Sequence, residues 1–269
     1  MITKQLIVYL LACMGLLACS ASSVTIEGKD GINRQKEYYL YGCQAGSLIP
    51  IASALIDSNG CFRLNVPLPQ EGFYLLGTEQ GVMHPFYLKG NETIRLRFQT
   101  NGMILEGEQT PENQALSQWE QAATLVREHA FLYERFGGGY STDPATFTQE
   151  LEDLLRVRQQ LKPEKATGNA TFNSLLKAKM EADVDFYALA YLQRNAGNLS
   201  DTIRLSNYYQ KMQPEKTLQQ PALLQLPYAG EMLRTYVWYK YGDPIELREA
   251  FKYKSTCLID STFQQHYLY

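Results

Sequence analysis

The sequence has no run of basic residues and no excess of positive charge. Its 269 residues include 25 Lys and Arg against 28 Asp and Glu, which gives a net charge of −3. Proteins that bind nucleic acid neutralise its phosphates with clustered Lys and Arg side chains. The charge balance therefore argues against nucleic acid as a partner.

Cysteine is scarce, and no two cysteines stand at the Cys-x-x-Cys spacing. The sequence has five cysteines, whereas a redox dithiol places two cysteines two residues apart. The histidines His84, His129 and His266 lie far apart, without a cysteine or carboxylate at metal-ligand spacing. The sequence therefore predicts neither a redox dithiol nor a metal site, and we expect no cofactor.

Motifs of other catalytic classes are also missing. The glycines at residues 137–139 follow a predicted helix and lack the Lys-Ser/Thr pair of a phosphate-binding loop, so they predict a connector. Glu150, Glu152 and Asp153 fall on the outer face of an amphipathic helix, where we expect them to be solvated. No serine stands in a Gly-x-Ser-x-Gly elbow. The sequence thus predicts no catalytic residue and favours a protein that is not an enzyme.

The apolar run near the N-terminus is too short to cross a membrane, which takes about 20 apolar residues. Lys4 precedes this run at residues 6–17, and small and polar residues follow at 18–23. This three-part pattern is typical of a secretory signal peptide. Leu16-Leu17-Ala18-Cys19 resembles the bacterial lipobox, which implies that residues 1–18 are removed and that Cys19 carries lipid.

A lipid on Cys19 predicts attachment to an envelope membrane through a lipidated linker at residues 19–23. A second match to the lipobox, at residues 10–13, would leave an apolar core of only residues 6–12, so we reject it. Each buried methylene of an acyl chain contributes about 0.8 kcal/mol, so several chains give stable attachment. Residues 20–23 lack an acidic export cluster, and we therefore expect the protein to face the periplasm.

Three cysteines remain once Cys13 and Cys19 are set aside, namely Cys43, Cys61 and Cys257. An oxidising compartment permits disulfides. Cys43 ends one predicted strand and Cys61 begins another, so these two form the candidate disulfide, while the state of Cys257 stays open.

Residues 24–109 have the pattern of an antiparallel β-domain, either a sandwich or a barrel-like sheet. Residues 93–98 alternate strictly between apolar and polar side chains, which indicates a half-buried strand. Asn59-Gly60 is a strong hairpin signal, because both residues tolerate positive φ. We expect short strands at residues 24–28, 37–43, 51–56, 62–66, 73–76, 85–88, 93–98 and 103–105.

Residues 110–269 change to a helical period. Apolar residues recur at steps of three and four from Leu116 to Tyr133, and similar stripes cover residues 151–161 and 172–191. Shorter helices are expected at residues 201–211, 228–240 and 244–253, with prolines between them. The predicted fold class is therefore α+β, a β-domain followed by an α-helical bundle.

The order of motifs in the strand half resembles a known family. Ile26-Glu27-Gly28 is followed by residues 51–62, 73–76 and 87–96, and then by residues 105–107. This order is similar to the N-terminal β-domain of unknown function that precedes the thioredoxin domain in TlpA-like envelope thiol–disulfide oxidoreductases. The helical half is similar to the segment between those two domains in length and position.

The family's redox chemistry belongs to a C-terminal thioredoxin fold with Trp-Cys-x-x-Cys. Trp119 and Trp238 have no cysteine beside them, and the sequence ends at Tyr269, about where that fold would begin. Cys257 is a single thiol, and a single thiol cannot cycle as a dithiol. No catalytic residue of the family is therefore carried over to this chain.

Three functions are compatible with these features. The first is a non-catalytic lipoprotein that binds or positions an envelope partner, such as a thioredoxin-fold protein. The second is the front part of a split or truncated thiol–disulfide oxidoreductase. The third is a glycan- or peptide-binding lipoprotein that uses the tyrosines of the helical half, although tyrosines are more often core-edge residues with a wet hydroxyl. We favour the first, because both halves are present and a catalytic domain is missing.

Overall fold

The fold is taken from a computed structural model that describes residues 22–31, 36–78, 83–99, 102–131, 142–162, 167–195 and 207–241. The predicted signal peptide, Cys19, Cys257, His266 and the helix expected at 244–253 lie outside the described residues.

The N-terminal region contains a β-strand at each of the predicted positions. They are β1 (Ser23–Asp30), β2 (Glu37–Gln44), β3 (Ser47–Leu55), β4 (Cys61–Pro67), β5 (Gly72–Gly77), β6 (His84–Leu88), β7 (Glu92–Gln99) and β8 (Gly102–Glu106). One four-stranded sheet has the order β4-β1-β7-β8, and the other has the order β3-β2-β5-β6. Ile26 and Leu64 from the first sheet share a core with Leu40 and Phe86 from the second. The region is a β-sandwich, and the predicted α+β fold class is confirmed.

One strand pair departs from the antiparallel arrangement that was predicted. β1 and β7 are parallel, with Val24 opposite Glu92 and Asp30 opposite Phe98. Parallel neighbours need a long crossover connection, whereas hairpins join antiparallel strands. Here β2 to β6 lie between the two parallel strands in the chain, and most of them form the second sheet.

The hairpin predicted at Asn59-Gly60 is wrong in its pairing. The turn is present, because Asp57 Oδ1 accepts hydrogen bonds from the backbone N–H groups of Asn59 and Cys61, each at 2.8 Å. Gly60 adopts the positive φ of +77° that the turn requires. However, β3 pairs with β2 and β4 pairs with β1. The turn is therefore a corner that leads the chain from one sheet to the other.

The C-terminal region is helical. Its elements are α1 (Pro111–Phe131), α2 (Pro144–Gln160), α3 (Ala170–Arg194), α4 (Asn207–Lys211), α5 (Pro214–Leu218), a 3-10 helix (Pro221–Gln225) and α6 (Ala229–Tyr241). The central helix is α3, which is buried without a break over residues 182–192. Among the described helices, none is both long and apolar enough to span a membrane.

The two regions share one packed interface. Phe73 of β5 and Tyr87 of β6 belong to the core of the helical region. The side-chain amide of Asn113 on α1 accepts from the backbone N–H of Tyr87 at 2.8 Å and donates to the Tyr87 carbonyl at 2.9 Å. Gly46 N–H donates to the Leu224 carbonyl at 2.6 Å. The Asn113 amide thus forms hydrogen bonds with the backbone N–H and C=O of Tyr87 at the edge of β6, as a neighbouring strand would.

Candidate functional site

Charged residues of α3 point to two opposite sides of the helical core. Asp183 is fully buried and Asp185 is 8% exposed. An α-helix turns by about 100° per residue, so two residues separated by one other lie on nearly opposite faces. The helices around α3 therefore meet two separate polar clusters, one at each aspartate.

The Asp183 cluster joins α3 to α1 and to the start of α6. Asp183 Oδ2 accepts from Trp119 Nε1 at 2.7 Å and from Lys179 Nζ at 2.8 Å. Its other oxygen, Oδ1, accepts from the hydroxyl of Tyr228. Both carboxylate oxygens of this buried group are therefore bonded, as a buried charge requires.

Lys179 extends this cluster to two further charged groups on α1. Lys179 Nζ lies 2.9 Å from Glu120 Oε1, and Arg127 Nη1 lies 2.6 Å from Glu120 Oε2. Burial alone would lower the pKa of Lys179, but the carboxylates of Asp183 and Glu120 outweigh burial and raise it. Two acids and two bases thus form a closed network in which each charge faces an opposite charge.

The Asp185 cluster lies on the other side of α3. Asp185 Oδ1 accepts from the hydroxyl of Tyr208 and Oδ2 accepts from Thr217 Oγ1, both at 2.5 Å. Burial raises the pKa of Asp185, and the hydrogen bonds and the charge of Arg158 oppose that rise. This carboxyl therefore fixes Tyr208 of α4 and Thr217 of α5 against the central helix.

A groove lies outside the Asp185 cluster, between α2 and α4. Its volume is about 410 Å³, within the range of about 300 to 1,000 Å³ that is usual for small-molecule sites. Charged, amide, aromatic and aliphatic side chains line it, namely Glu152, Leu155, Arg156, Arg158, Gln159, Tyr208 and Lys211. The groove is the candidate binding site.

The cations of the groove differ in their partners. Arg156 forms an ion pair with Asp153 on the same helix. Within the described part of the chain, Arg158 and Lys211 have no carboxylate at ion-pair distance and no hydrogen-bond acceptor. Arg158 is only partly exposed. The charge of Arg158 acts on the buried Asp185, but the donors of Arg158 and Lys211, one from each wall, can still bond an anion that enters the groove.

Cys43 and Cys61 are both free in the structure, so the candidate disulfide between them is not formed. Cys43 lies at the end of β2, and its Sγ lies 3.5 Å from the Leu224 carbonyl. Cys61 begins β4 in the other sheet, with its Sγ 3.9 Å from the Asn59 carbonyl. Burial raises the pKa of the Cys43 thiol to about 11, which disfavours the thiolate.

The predicted acidic face of α2 is only partly solvated. Glu150 Oε2 lies 2.6 Å from His129 Nδ1, with 15% of the Glu150 side chain exposed. The expectation was wrong for Glu150, because α1 packs against α2 at this point. Asp153 is exposed as expected, while Glu152 lines the groove.

The remaining described histidine, His84, begins β6, and burial lowers its pKa. No group of three or more His, Cys, Asp and Glu side chains that could hold a metal ion occurs within the described ranges.

Sequence reasoning missed the charged residues of both clusters. Lys179 and Asp183 lie four residues apart, within a helix whose apolar stripe runs on both sides of them. Charges inside such a wide apolar pattern indicate buried, paired groups, because a lone buried charge is too costly. That signal was available in the sequence, but the partners Glu120 and Trp119 lie about 60 residues earlier and required the fold.

No protein-family model matches the chain, and no curated protein matches it either. The resemblance to the N-terminal part of thiol–disulfide oxidoreductases stays a prediction.

Proposed function

We propose that this protein is a lipid-anchored envelope lipoprotein that binds or positions a partner and does not itself catalyse a reaction. The observation that carries the binding role is the difference between the two sides of α3. On one side, Lys179 and Asp183 are paired inside a closed network. On the other side, Arg158 and Lys211 line a groove and form no ion pair or hydrogen bond within the described residues, although the charge of Arg158 acts on the buried Asp185.

The envelope location rests on the lipobox-like Leu16-Leu17-Ala18-Cys19. Lipid on Cys19 would place the sandwich and the groove close to a membrane surface, within reach of other envelope proteins. A lipid anchor of this kind raises the local concentration of the protein near its envelope partners, and it needs no active site to do so.

The anchor is tested by replacing Cys19 with serine. The Cys19→Ser variant should lose labelling by radioactive palmitate and should leave the membrane fraction of the cells that produce it. Cys13→Ser is the matched control, because it removes the other cysteine of the leader and should keep both properties. Undiminished labelling of Cys19→Ser would show that the anchor is elsewhere.

The non-catalytic role is tested by insulin reduction with dithiothreitol as electron source. The purified protein should not accelerate insulin precipitation above the rate with dithiothreitol alone, because Cys43 and Cys61 are separate thiols on different sheets. Acceleration that disappears in a Cys43→Ser variant would overturn the proposal in favour of an oxidoreductase.

A further inference from the structure

We propose that the groove between α2 and α4 binds a small organic anion, one that carries a carboxylate or phosphate group on an apolar or aromatic body. This inference rests on the proposed binding role, and it adds the chemistry of the ligand.

The charge of the groove selects for an anion. Among the described side chains that line it, Arg156, Arg158 and Lys211 are cationic and Glu152 is acidic. Because Arg156 is already paired with Asp153, the side chains that can donate to an anion are Lys211 and Arg158, whose charge also acts on Asp185 behind the groove. Charge-assisted hydrogen bonds from guanidinium and ammonium groups to carboxylate or phosphate are among the stronger polar contacts in proteins.

The acidic side chain of the groove, Glu152, is separated from Arg158 along α2. Glu152 and Arg158 are six residues apart on α2, so they are separated by about 9 Å along the helix axis at a rise of 1.5 Å per residue. An anionic group at Arg158 is therefore not placed directly against Glu152. A second anionic group at the Glu152 end would be repelled, which favours a ligand with one anionic head.

The rest of the groove suits an apolar or aromatic body. Leu155 of α2 and Tyr208 of α4 contribute apolar surface from the two walls. The Tyr208 ring is held in place because its hydroxyl donates to Asp185 at 2.5 Å, and Thr217 holds the other oxygen of the same carboxyl. A wall that is already fixed loses little conformational entropy on binding.

Benzoate and phenyl phosphate are suitable probes, because they share an aromatic body and differ in the anionic head. Isothermal titration of the full chain, purified in detergent, should give saturable binding of at least one of them in the millimolar range or below. Benzamide has the shape of benzoate without its charge and should bind about tenfold more weakly. The ratio between benzoate and phenyl phosphate distinguishes a carboxylate ligand from a phosphate ligand.

Single substitutions locate the binding. Arg158→Gln and Lys211→Gln should each weaken the better probe about tenfold. Arg234→Gln is the matched control, because it removes the same charge from α6 at a side chain that is 71% exposed and outside the groove. It should leave binding unchanged. Lys211 is exposed, so Lys211→Gln decides the matter even if Arg158→Gln impairs folding.

Several outcomes would overturn this proposal. They are no saturable binding of either anion in the millimolar range, equal binding of benzamide and benzoate, or equal weakening by Arg234→Gln and the two groove variants. Saturable binding of methyl glucoside in the absence of anion binding would point instead to a glycan site. Loss of anchoring in Cys19→Ser leaves these measurements unaffected, so failure of the anchor and failure of the ligand assignment are distinguishable.

Discussion

The sandwich core and the helical core differ in the charged side chains that they bury. Between the two sheets, apolar and aromatic side chains from Val24 to Phe98 surround a single buried acid among the described residues, Asp30, which is 2% exposed and lies beside Tyr38. The helical core contains Lys179, Asp183 and Asp185, all of them at most 8% exposed. The same chain thus fills one core mainly with hydrophobic side chains and crosses the other with a network of hydrogen bonds and ion pairs.

The difference follows from what each secondary structure specifies by itself. In a half-buried strand, side chains alternate between core and solvent, and a slip by one residue would expose the whole apolar set. The strand pattern of β7, with Ile94, Leu96 and Phe98 inward, fixes its register in this way. α3 is buried on all sides over residues 182–192. Because it has no exposed polar face there, hydrophobicity alone does little to fix its rotation about the helix axis. We infer that Asp183 and Asp185 set that rotation, because their bonds reach specific partners on opposite sides.

The largest effect expected from this comparison is that of Asp183→Ala. The change leaves the Lys179 ammonium without its closest carboxylate and removes the acceptor of Trp119 Nε1. Breaking a buried ion pair from one side costs about 3 to 5 kcal/mol, so the free energy of unfolding in urea should fall by about 4 kcal/mol. Asp153→Ala, an exposed carboxylate on α2, is the control and should change stability very little. Equal effects of the two would refute the role given to Asp183.

A slightly smaller loss is expected in the sandwich from Leu40→Ala. Leu40 is fully buried between the sheets, and removing a buried leucine side chain costs about 3 kcal/mol through lost burial and the cavity left behind. Leu55→Ala is the matched control, because Leu55 is 73% exposed on β3. Urea unfolding curves should separate the two variants clearly, and a similar loss in both would mean that β3 is covered in solution.

The joint between the two regions gives the third prediction. Asn113→Ala leaves the backbone N–H and C=O of Tyr87 unpaired at a buried edge, which costs about 2 kcal/mol. Amide hydrogen exchange at Tyr87 should become faster than in the unaltered protein. Asn65→Ala, which removes an exposed hydrogen bond to Thr25, should leave exchange at Tyr87 unchanged. An unaltered exchange rate in Asn113→Ala would show that the amide does not protect this edge.

More of the sandwich than of the candidate site could be predicted from the sequence. Alternation and turn residues located the strands, since both are local signals. The sheet to which each strand belongs depends on distant partners, so the turn at Asn59-Gly60 was assigned to a hairpin when it is a corner between sheets. The prolines between the predicted helices indicate breaks, whereas Pro214 and Pro221 each stand in the first turn of a short helix, where proline fits because its missing N–H has no partner there.

The site could hardly be predicted at all. Arg158 and Lys211 are common surface residue types in the sequence, and they line one groove only because the fold places α2 and α4 on either side of it. The tyrosines were interpreted more accurately, as core-edge residues. Tyr208, Tyr228 and Tyr236 each have a buried or half-buried ring and a hydroxyl bonded to a carboxylate. This role follows from the chemistry of tyrosine, whereas a groove depends on the packing of helices far apart in the chain.

The smallest effect expected is a difference in pH dependence between the two sides of α3. Burial raises the pKa of Asp185 above its ordinary value of 3.8. As pH rises above that value, the unfolded chain ionises at this residue before the folded protein does, so folding is penalised. Asp185→Asn removes the penalty, and its stability relative to the unaltered protein should increase as pH rises from about 3 to about 7.

Glu120→Gln should show the opposite trend. Burial alone would raise the pKa of Glu120, but Lys179 and Arg127 together outweigh burial and hold it below its ordinary value of 4.5. The stability that Glu120 contributes is therefore fully present above that value and is lost as pH falls through the folded pKa. The cost of Glu120→Gln should accordingly shrink on acidification. Urea unfolding at a series of pH values measures both trends. If the stabilities of both variants, relative to the unaltered protein, changed with pH in the same direction, the distinction between the two clusters would be contradicted. That distinction is that ion pairs compensate the buried charge of Glu120, whereas the burial of Asp185 is only partly compensated.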